Sequence, residues 1–188
     1  KGVVWDLCSG LGGWSEAFVQ AGWDVIRIEN NPELIGVTHT HDFDVLNYWD
    51  WIDGFPDPDI ILASPPCLEF STAYHSPRSV AARAGIDYEP DLSILHACKE
   101  IIEAKRPKWW IIENVSGAAK YFESVLGKQR QIIGPYHLWG NFPFLPILQD
   151  IKPKDSIAGN AHLASNKRAL IPFELSFNLL TSWREQTS

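Results

Sequence analysis

The 188-residue sequence contains no methionine, only three cysteines, and no apolar run near the roughly 20 residues that a membrane-spanning helix needs. The missing methionine leads us to expect a chain without its natural start or a fragment of a longer protein. Cys8, Cys67 and Cys98 form an odd set without a Cys-x-x-Cys pair, which argues against a disulfide framework and a zinc ribbon. His39-Thr40-His41 lacks a neighbouring cysteine or carboxylate pair, so it reads as a solvated helix end and no metal is expected. The opening Lys1-Gly2-Val3-Val4-Trp5 runs straight into a strand and has neither the apolar region nor the cleavage site of a signal peptide. A soluble cytoplasmic protein with no membrane partner is expected. Repeats and low-complexity tracts are also missing.

Basic charge is scarce overall, with 16 Lys and Arg against 23 Asp and Glu and a net charge of −7. Its distribution is uneven. Residues 1–115 carry 8 basic and 18 acidic side chains, whereas residues 116–170 carry 7 basic and 3 acidic. A local positive surface of this kind suits a phosphate backbone, and an ordinary uneven surface is the alternative. The hydrophobic content of 45% and the length suit one globular domain spanning residues 1–188.

What is present begins with a βαβ pattern. Val3-Val4-Trp5-Asp6-Leu7 reads as a buried strand running into the glycine-rich Cys8-Ser9-Gly10-Leu11-Gly12-Gly13. Trp14, Ala17, Phe18 and Ala21 recur at helical spacing, Gly22 stops that helix, and a second strand from Asp24 to Ile28 ends at Glu29. Glycines let the backbone approach a ligand, and an acidic residue at the second strand's tip suits ribose hydroxyls. Dinucleotides, S-adenosylmethionine and plain tight packing all use such a turn. Asn31-Pro32 begins a weak helix through Val37, and Asp44 is a candidate for an adenine amine or a solvated loop carboxylate.

Asp59-Ile60-Ile61-Leu62-Ala63 is an apolar strand pattern that stops at Ser64-Pro65-Pro66-Cys67. Proline cannot extend a central strand, so Cys67 sits just past a strand end, the edge where ligands gather in open α/β sheets. The other reading is a small buried thiol after a turn. Residues 68–89 show little periodicity and read as a long mobile loop. From Pro90-Asp91 a helix follows with Ile94, Leu95, Cys98, Ile101 and Ile102 on one face and Pro107 closing it, which makes Cys98 core. Trp109 to Ile112 is a strand ending in Glu113-Asn114-Val115, Ser116 to Leu126 a short helix, and Gln129 to Ile133 another strand. His137 to Pro143 reads as an aromatic turn, residues 150–168 as polar and irregular, and Ile171-Pro172 onward as a final helix to about Trp183.

Three separated motifs occur in the order found in the cytosine-C5 DNA methyltransferases, and the chain resembles that family. Asp6 to Gly13 is similar to its S-adenosylmethionine motif, with Cys8 where a phenylalanine is common; Pro65-Pro66-Cys67 resembles its nucleophile motif; Glu113-Asn114-Val115 resembles its acidic motif. Gln129-Arg130-Gln131 is similar to a later motif whose arginine supports the flipped base, without the usual paired arginines. His137-Leu138-Trp139-Gly140 and Arg168-Ala169-Leu170-Ile171-Pro172 resemble compact phage-type members.

The resemblance implies a Rossmann-like S-adenosylmethionine-dependent fold, an α/β protein with a mostly parallel sheet flanked by helices. It implies catalytic roles for Cys67, Pro66, Glu113, Asn114 and Arg130, with residues 68–89 as the catalytic loop. It implies cofactor contacts from Asp6, Leu7, Cys8, Gly10, Gly12, Gly13, Trp14, Glu29, Asn30, Asp44 and Pro65. Double-stranded DNA is the implied partner in a bacterial or phage setting. Only about 30 residues separate His137 from Arg168, too few for a second folded domain. Residues 141–170 are therefore expected to be a short basic segment in place of a target-recognition domain. Phosphate contacts are expected from Lys128, Lys152, Lys154, Lys167 and Arg168, with specificity from flanking residues or a separate protein. An amino-group DNA methyltransferase, and a silent cofactor-binding or DNA-associated module, are the alternatives.

Overall fold

A computed structural model describes residues 1–71, 73–146 and 163–187. In chain order the elements are β1 (Val3–Leu7), α1 (Glu16–Gln20), β2 (Asp24–Glu29), β3 (Thr40–Asp42), β4 (Ile60–Ala63), α2 (Pro77–Ala84), α3 (Ser93–Lys105), β5 (Trp109–Asn114), α4 (Ala119–Leu126), β6 (Gln131–Ile133), β7 (Tyr136–Asn141), α5 (Ala164–Ala169) and α6 (Phe173–Thr187). Short 3₁₀ turns precede β4 (Val45–Asp50) and α4 (Ser116–Ala118). The seven strands form one sheet in the order β3-β2-β1-β4-β5-β7-β6. Strands β1 to β5 pair in parallel, and β7 runs antiparallel to both β5 and β6.

The strands at the centre read as unbroken apolar runs because both of their faces are covered. Val4, Ile60, Leu62 and Ile111 point into the layer shared with Phe18 of α1 and with Leu175, Leu179 and Trp183 of α6. Trp5, Ile61, Ala63 and Ile112 point the other way, toward Leu95, Cys98 and Ile101 of α3 and Phe122 of α4. Each fully buried side chain of this size contributes about 1.5–3 kcal/mol, so the sheet is fixed firmly between two layers. The C-terminal ends of β1, β2, β4 and β5 then lie along one edge.

Several expectations change. Residues 31–37 form successive turns rather than a helix, tied by Leu34 N–H to the Asn31 carbonyl at 2.9 Å and Val37 N–H to the Leu34 carbonyl at 3.0 Å. The 68–89 stretch contains α2, which has no buried residue and so no apolar stripe to announce it. Its signals are terminal: Ser76 Oγ accepts the Ser79 N–H, proline sits in the first turn, and Gly85 ends the helix at φ +68°. His137 to Asn141 lies in strand β7, an interior strand between β5 and β6, and is not a turn. Within the expected irregular 150–168 tract, 164–168 belong to helix α5, and Lys152 and Lys154 lie outside the described residues. No helix among the described residues is long and apolar enough to cross a membrane.

Candidate active site

The ligand edge of the sheet opens into a cavity of about 720 Å³, within the range that holds a nucleoside-sized ligand. Its floor starts with β1, which delivers the chain into the Cys8–Gly13 turn. Cys8, Gly10 and Gly12 all take left-handed backbone conformations, at φ 52°, 54° and 77°. Such a turn needs a firm hold, and Glu29 at the tip of β2 supplies one: its carboxylate accepts the Gly10 N–H at 2.8 Å and the N–H groups of Asn30 and Asn31 at 3.1 and 3.0 Å. Cys8, Gly10, Gly13, Trp14, Glu29, Asn30, Asp44, Pro66 and Cys67 line the cavity. Asp44 caps the 3₁₀ turn at Val45, accepting the Leu46 N–H at 2.9 Å, and stands beside Phe43 and Ile28.

Cys67 follows β4 by four residues and is part-exposed to the cavity. Its carbonyl accepts the N–H groups of Phe70 and Ser71 at 3.1 and 3.0 Å, so the chain curls immediately after the thiol. Phe70, 3% exposed, anchors that curl among core aromatics, with its ring centroid 5.1 Å from that of Phe122. Strand β5 lies beside β4, with Ala63 opposite Ile112, which brings Glu113 level with Ser64. Ser64 Oγ donates to a Glu113 carboxylate oxygen at 3.3 Å, and Ser64 itself lines the cavity. Glu113 is 4% exposed. Asn114 Nδ2 donates to the Pro65 carbonyl at 2.9 Å, and its Oδ1 accepts the Val115 N–H at 2.9 Å. One side chain thus ties the Pro65 segment to the tip of β5.

The other two thiols are held differently. Cys98 is fully buried in α3. A hydrogen bond from the Cys98 side chain, followed by burial, pushes the Cys8 thiol well above its ordinary range, so Cys8 stays protonated. Of the three, Cys8 and Cys67 border the cavity and Cys98 does not.

Several expected site residues stand behind the wall instead of on it. Leu7 is fully buried core, and Asp6 is 1% exposed with its carboxylate accepting the Ser15 hydroxyl at 2.6 Å. Burial pushes the Asp6 carboxyl up to about 7, against the pull of that hydrogen bond and of Arg27. Gly12, Pro65, Glu113 and Asn114 also do not border the cavity. Arg130 is not brought to the site. Its Nε donates to the Phe142 carbonyl at 2.9 Å and its guanidinium lies 4.6 Å from the Phe144 ring centroid. Phe142 follows Asn141, which pairs with Trp110 at the opposite end of β5 from Glu113.

Further lining residues come from the far end of the chain, where the sequence carries no cue for this cavity. Ser165, Asn166, Arg168, Ala169, Leu170 and Ile171 line the cavity, and Arg168 is the only lysine or arginine among the described lining residues. They reach it because the α5–α6 link rests on the glycine turn: a Cβ at Gly13 would strike the Ile171 carbonyl and crowd Leu170.

Comparison with known proteins finds methyltransferases. The chain is 30% identical over 124 residues to the type II methyltransferase M.HindV of Haemophilus influenzae, covering 61% of this chain and 38% of that protein. It is 28% identical over 123 residues to the type II methyltransferase M.HgiGI of Herpetosiphon aurantiacus, covering 60% and 90%. The chain therefore spans well under half of M.HindV and most of M.HgiGI. Among solved structures, the Schizosaccharomyces pombe Dnmt2 methyltransferase is similar at 21% identity and a TM-score of 0.42, covering 66% of this chain and 39% of that one. The model of the C-5 cytosine-specific DNA methylases matches residues 3–133, the stretch that holds the glycine turn, Cys67 and Glu113, and the chain belongs to that family.

Proposed function

We propose that this chain transfers a methyl group from S-adenosylmethionine to C5 of a cytosine flipped out of double-stranded DNA. The observation that carries the reading is the shared edge. Cys67 borders the same cavity as the glycine turn and Glu29, and Glu113 stands level with Ser64 on the adjacent strand tip. The residues fit the cofactor: turn residues Gly10 and Gly13 lining the cavity, a fixed carboxylate at Glu29 for ribose hydroxyls, Phe43 and Ile28 for an adenine face, and Asp44 for its amine. When bound there, the sulfonium supplies an electrophilic methyl group.

The chain's own residues prepare the base. Cytosine C5 is a poor nucleophile, and addition of the Cys67 thiolate to C6 corrects this. As the sulfur–C6 bond forms, the C5–C6 π pair moves onto C5 and charge reaches N3, where a protonated Glu113 delivers its proton. After C5 has taken the methyl group, loss of the C5 proton to solvent water restores the double bond and expels the Cys67 thiolate, and N3 returns its proton to the Glu113 carboxylate. Pro65 and Pro66 restrict the backbone that presents the thiol, and Asn114 keeps the β5 tip in register with it. The base must leave the duplex to reach this edge, and residues 68–89 serve as the closing loop. Arg130, turned toward Phe142, acts as a structural residue in this reading.

DNA is gripped mainly through phosphates by exposed Lys128 and Lys167, with Lys152 and Lys154, so binding is strongly salt-dependent and its sequence preference short. Fuller specificity comes from residues outside this chain or a partner protein. The setting is the cytoplasm of a bacterium, with a role in restriction–modification or in a phage. The test is incorporation of labelled methyl into DNA, bisulfite sequencing of DNA from expressing cells, and covalent trapping on 5-fluorocytosine duplexes. Methylation of an exocyclic amine, or none at all, overturns the reading.

A further inference from the structure

We propose that Arg27 is a positioning residue of the cofactor site, setting the glycine turn in its ligand-binding shape from behind. The inference rests on reading the cavity as an S-adenosylmethionine site. Arg27 lies in β2 and is 1% exposed. A charge taken this far from water is costly unless its N–H groups are met, and here the turn and its flanks meet them. Nε donates to Ser15 Oγ at 2.9 Å, and Nη2 donates to the Gly12 carbonyl at 2.9 Å and to the Glu16 carboxylate at 3.0 Å. Nη1 donates to the Thr38 carbonyl at 2.9 Å. The Ser15 hydroxyl passes the chain on to Asp6, the β1 residue directly opposite Arg27.

The fit is close enough to dictate sequence. A Cβ at residue 12 would overlap the guanidinium, so glycine is required there by Arg27 as well as by φ +77°. The turn also holds Cys8, a residue with a side chain, in the left-handed region, and such conformations persist only where the surroundings over-determine them.

The two-residue period of β2 places Arg27 and Glu29 on one face. Glu29 takes the Gly10 N–H at the ligand side of the turn, while Arg27 takes the Gly12 carbonyl at its back. Between and beside these two points lie Gly10, Leu11 and Gly13, all of which line the cavity. One strand therefore pins the turn twice, and loss of the rear pin should appear as loss of ligand affinity.

The experiment uses the full chain and its R27M, R27K and S15A variants, with S-adenosylmethionine binding by calorimetry and folding by circular dichroism and thermal melts. We expect R27M to raise the Kd at least tenfold with a cooperative melt retained. R27K, which reaches fewer acceptors, should fall between R27M and the parent, and S15A should raise the Kd several-fold. A role confined to core stability would lower the melting temperature and leave the Kd unchanged, so a folded R27M with parental affinity overturns the proposal. If R27M does not fold, parental affinity in both R27K and S15A overturns it equally. A parent chain that binds no S-adenosylmethionine overturns the reading of the cavity together with the brace; a binding parent with unchanged variants overturns the brace alone.

Discussion

The two halves of the ligand edge are held by different physics. On the β1–β2 side the glycine turn is fixed by buried polar groups: Arg27 and Ser15 from behind, and a Glu29 carboxylate engaged by three backbone N–H groups. On the β4–β5 side, Cys67 is held by two prolines, one Asn114 side chain and the anchoring of Phe70 in apolar core. Removing one member of a hydrogen-bonded network leaves buried groups unmet, whereas a proline and an aromatic anchor fix the backbone without directional partners. The cofactor half should therefore answer to changes in charge and pH, and the chemical half to changes in the reacting groups themselves.

The largest expected break is on the chemical side. Cys67→Ser should abolish methyl transfer and trapping on 5-fluorocytosine DNA, a loss of at least about a thousandfold, since covalent catalysis through the thiolate is removed. Its affinity for S-adenosylmethionine should stay at the parental value in the same calorimetric assay. A Cys67→Ser protein that methylates at the parental rate would contradict the mechanism.

Next in size is the pH response of the cofactor half. In the unfolded chain Asp6 titrates near 3.8, while burial in the folded protein pushes it up to about 7. The folded state thus favours the protonated acid. Its stabilising contribution is full below pH 4, declines as pH rises through the window to about 7, and is gone above it. The span is at most of order 4 kcal/mol. Denaturant unfolding of the parent at pH 5 and pH 8 should differ more than that of Asp6→Asn, and equal differences would remove Asp6 as the source.

Asn114→Ala leaves the Pro65 carbonyl without its side-chain donor. The expected cost is about 1–3 kcal/mol in unfolding free energy. Methyl transfer should fall with cofactor affinity unchanged, because the two catalytic segments lose their tie. Unaltered activity would show that Ser64 and the paired strands align them without it. The smallest expected effect is that of Glu29→Ala, about a tenfold rise in the Kd for S-adenosylmethionine, near 1.4 kcal/mol. Affinity equal to the parent would mean that the turn holds its shape and the ribose its place without this carboxylate.

Much of the β4–β5 edge is legible in the sequence because its cues are local. Ile60 to Ala63 and Trp109 to Ile112 are strands apolar on both faces, and the residues that follow them, Pro65-Pro66-Cys67 and Glu113-Asn114, are those proposed to carry the chemistry. The glycine turn and Glu29 were legible for the same reason. Helix α2 is hidden in the sequence because a helix that buries nothing has caps but no periodicity. Strand β7 reads as a turn in the sequence because interior burial mixes Tyr136, Leu138 and Trp139 with polar neighbours and Gly140 instead of an alternating pattern. Arg27 sits in a strand segment that gives no sign of a buried charge, since its partners Gly12, Ser15 and Glu16 are recognisable only once the turn has folded. The direction of Arg130 depends on where the chain goes after β7, which residues 128–133 do not encode.

The seating of the α5–α6 link on the glycine turn has a consequence for the order of synthesis. Ser176 donates its hydroxyl to the Trp14 carbonyl at 2.6 Å and accepts the Ala17 N–H at 3.1 Å, contacts separated by 162 and 159 residues. Ile171 rests on Gly13 across a similar distance. Contacts this distant form late, because the loop they close has to be ordered first. A nascent chain still tethered to the ribosome short of this point already has the β1 strand, the glycines, Cys67 and Glu113, yet it lacks one wall of the cavity and the clamp on the start of α1. The cavity wall is completed only once the α5–α6 link and the start of α6 have emerged.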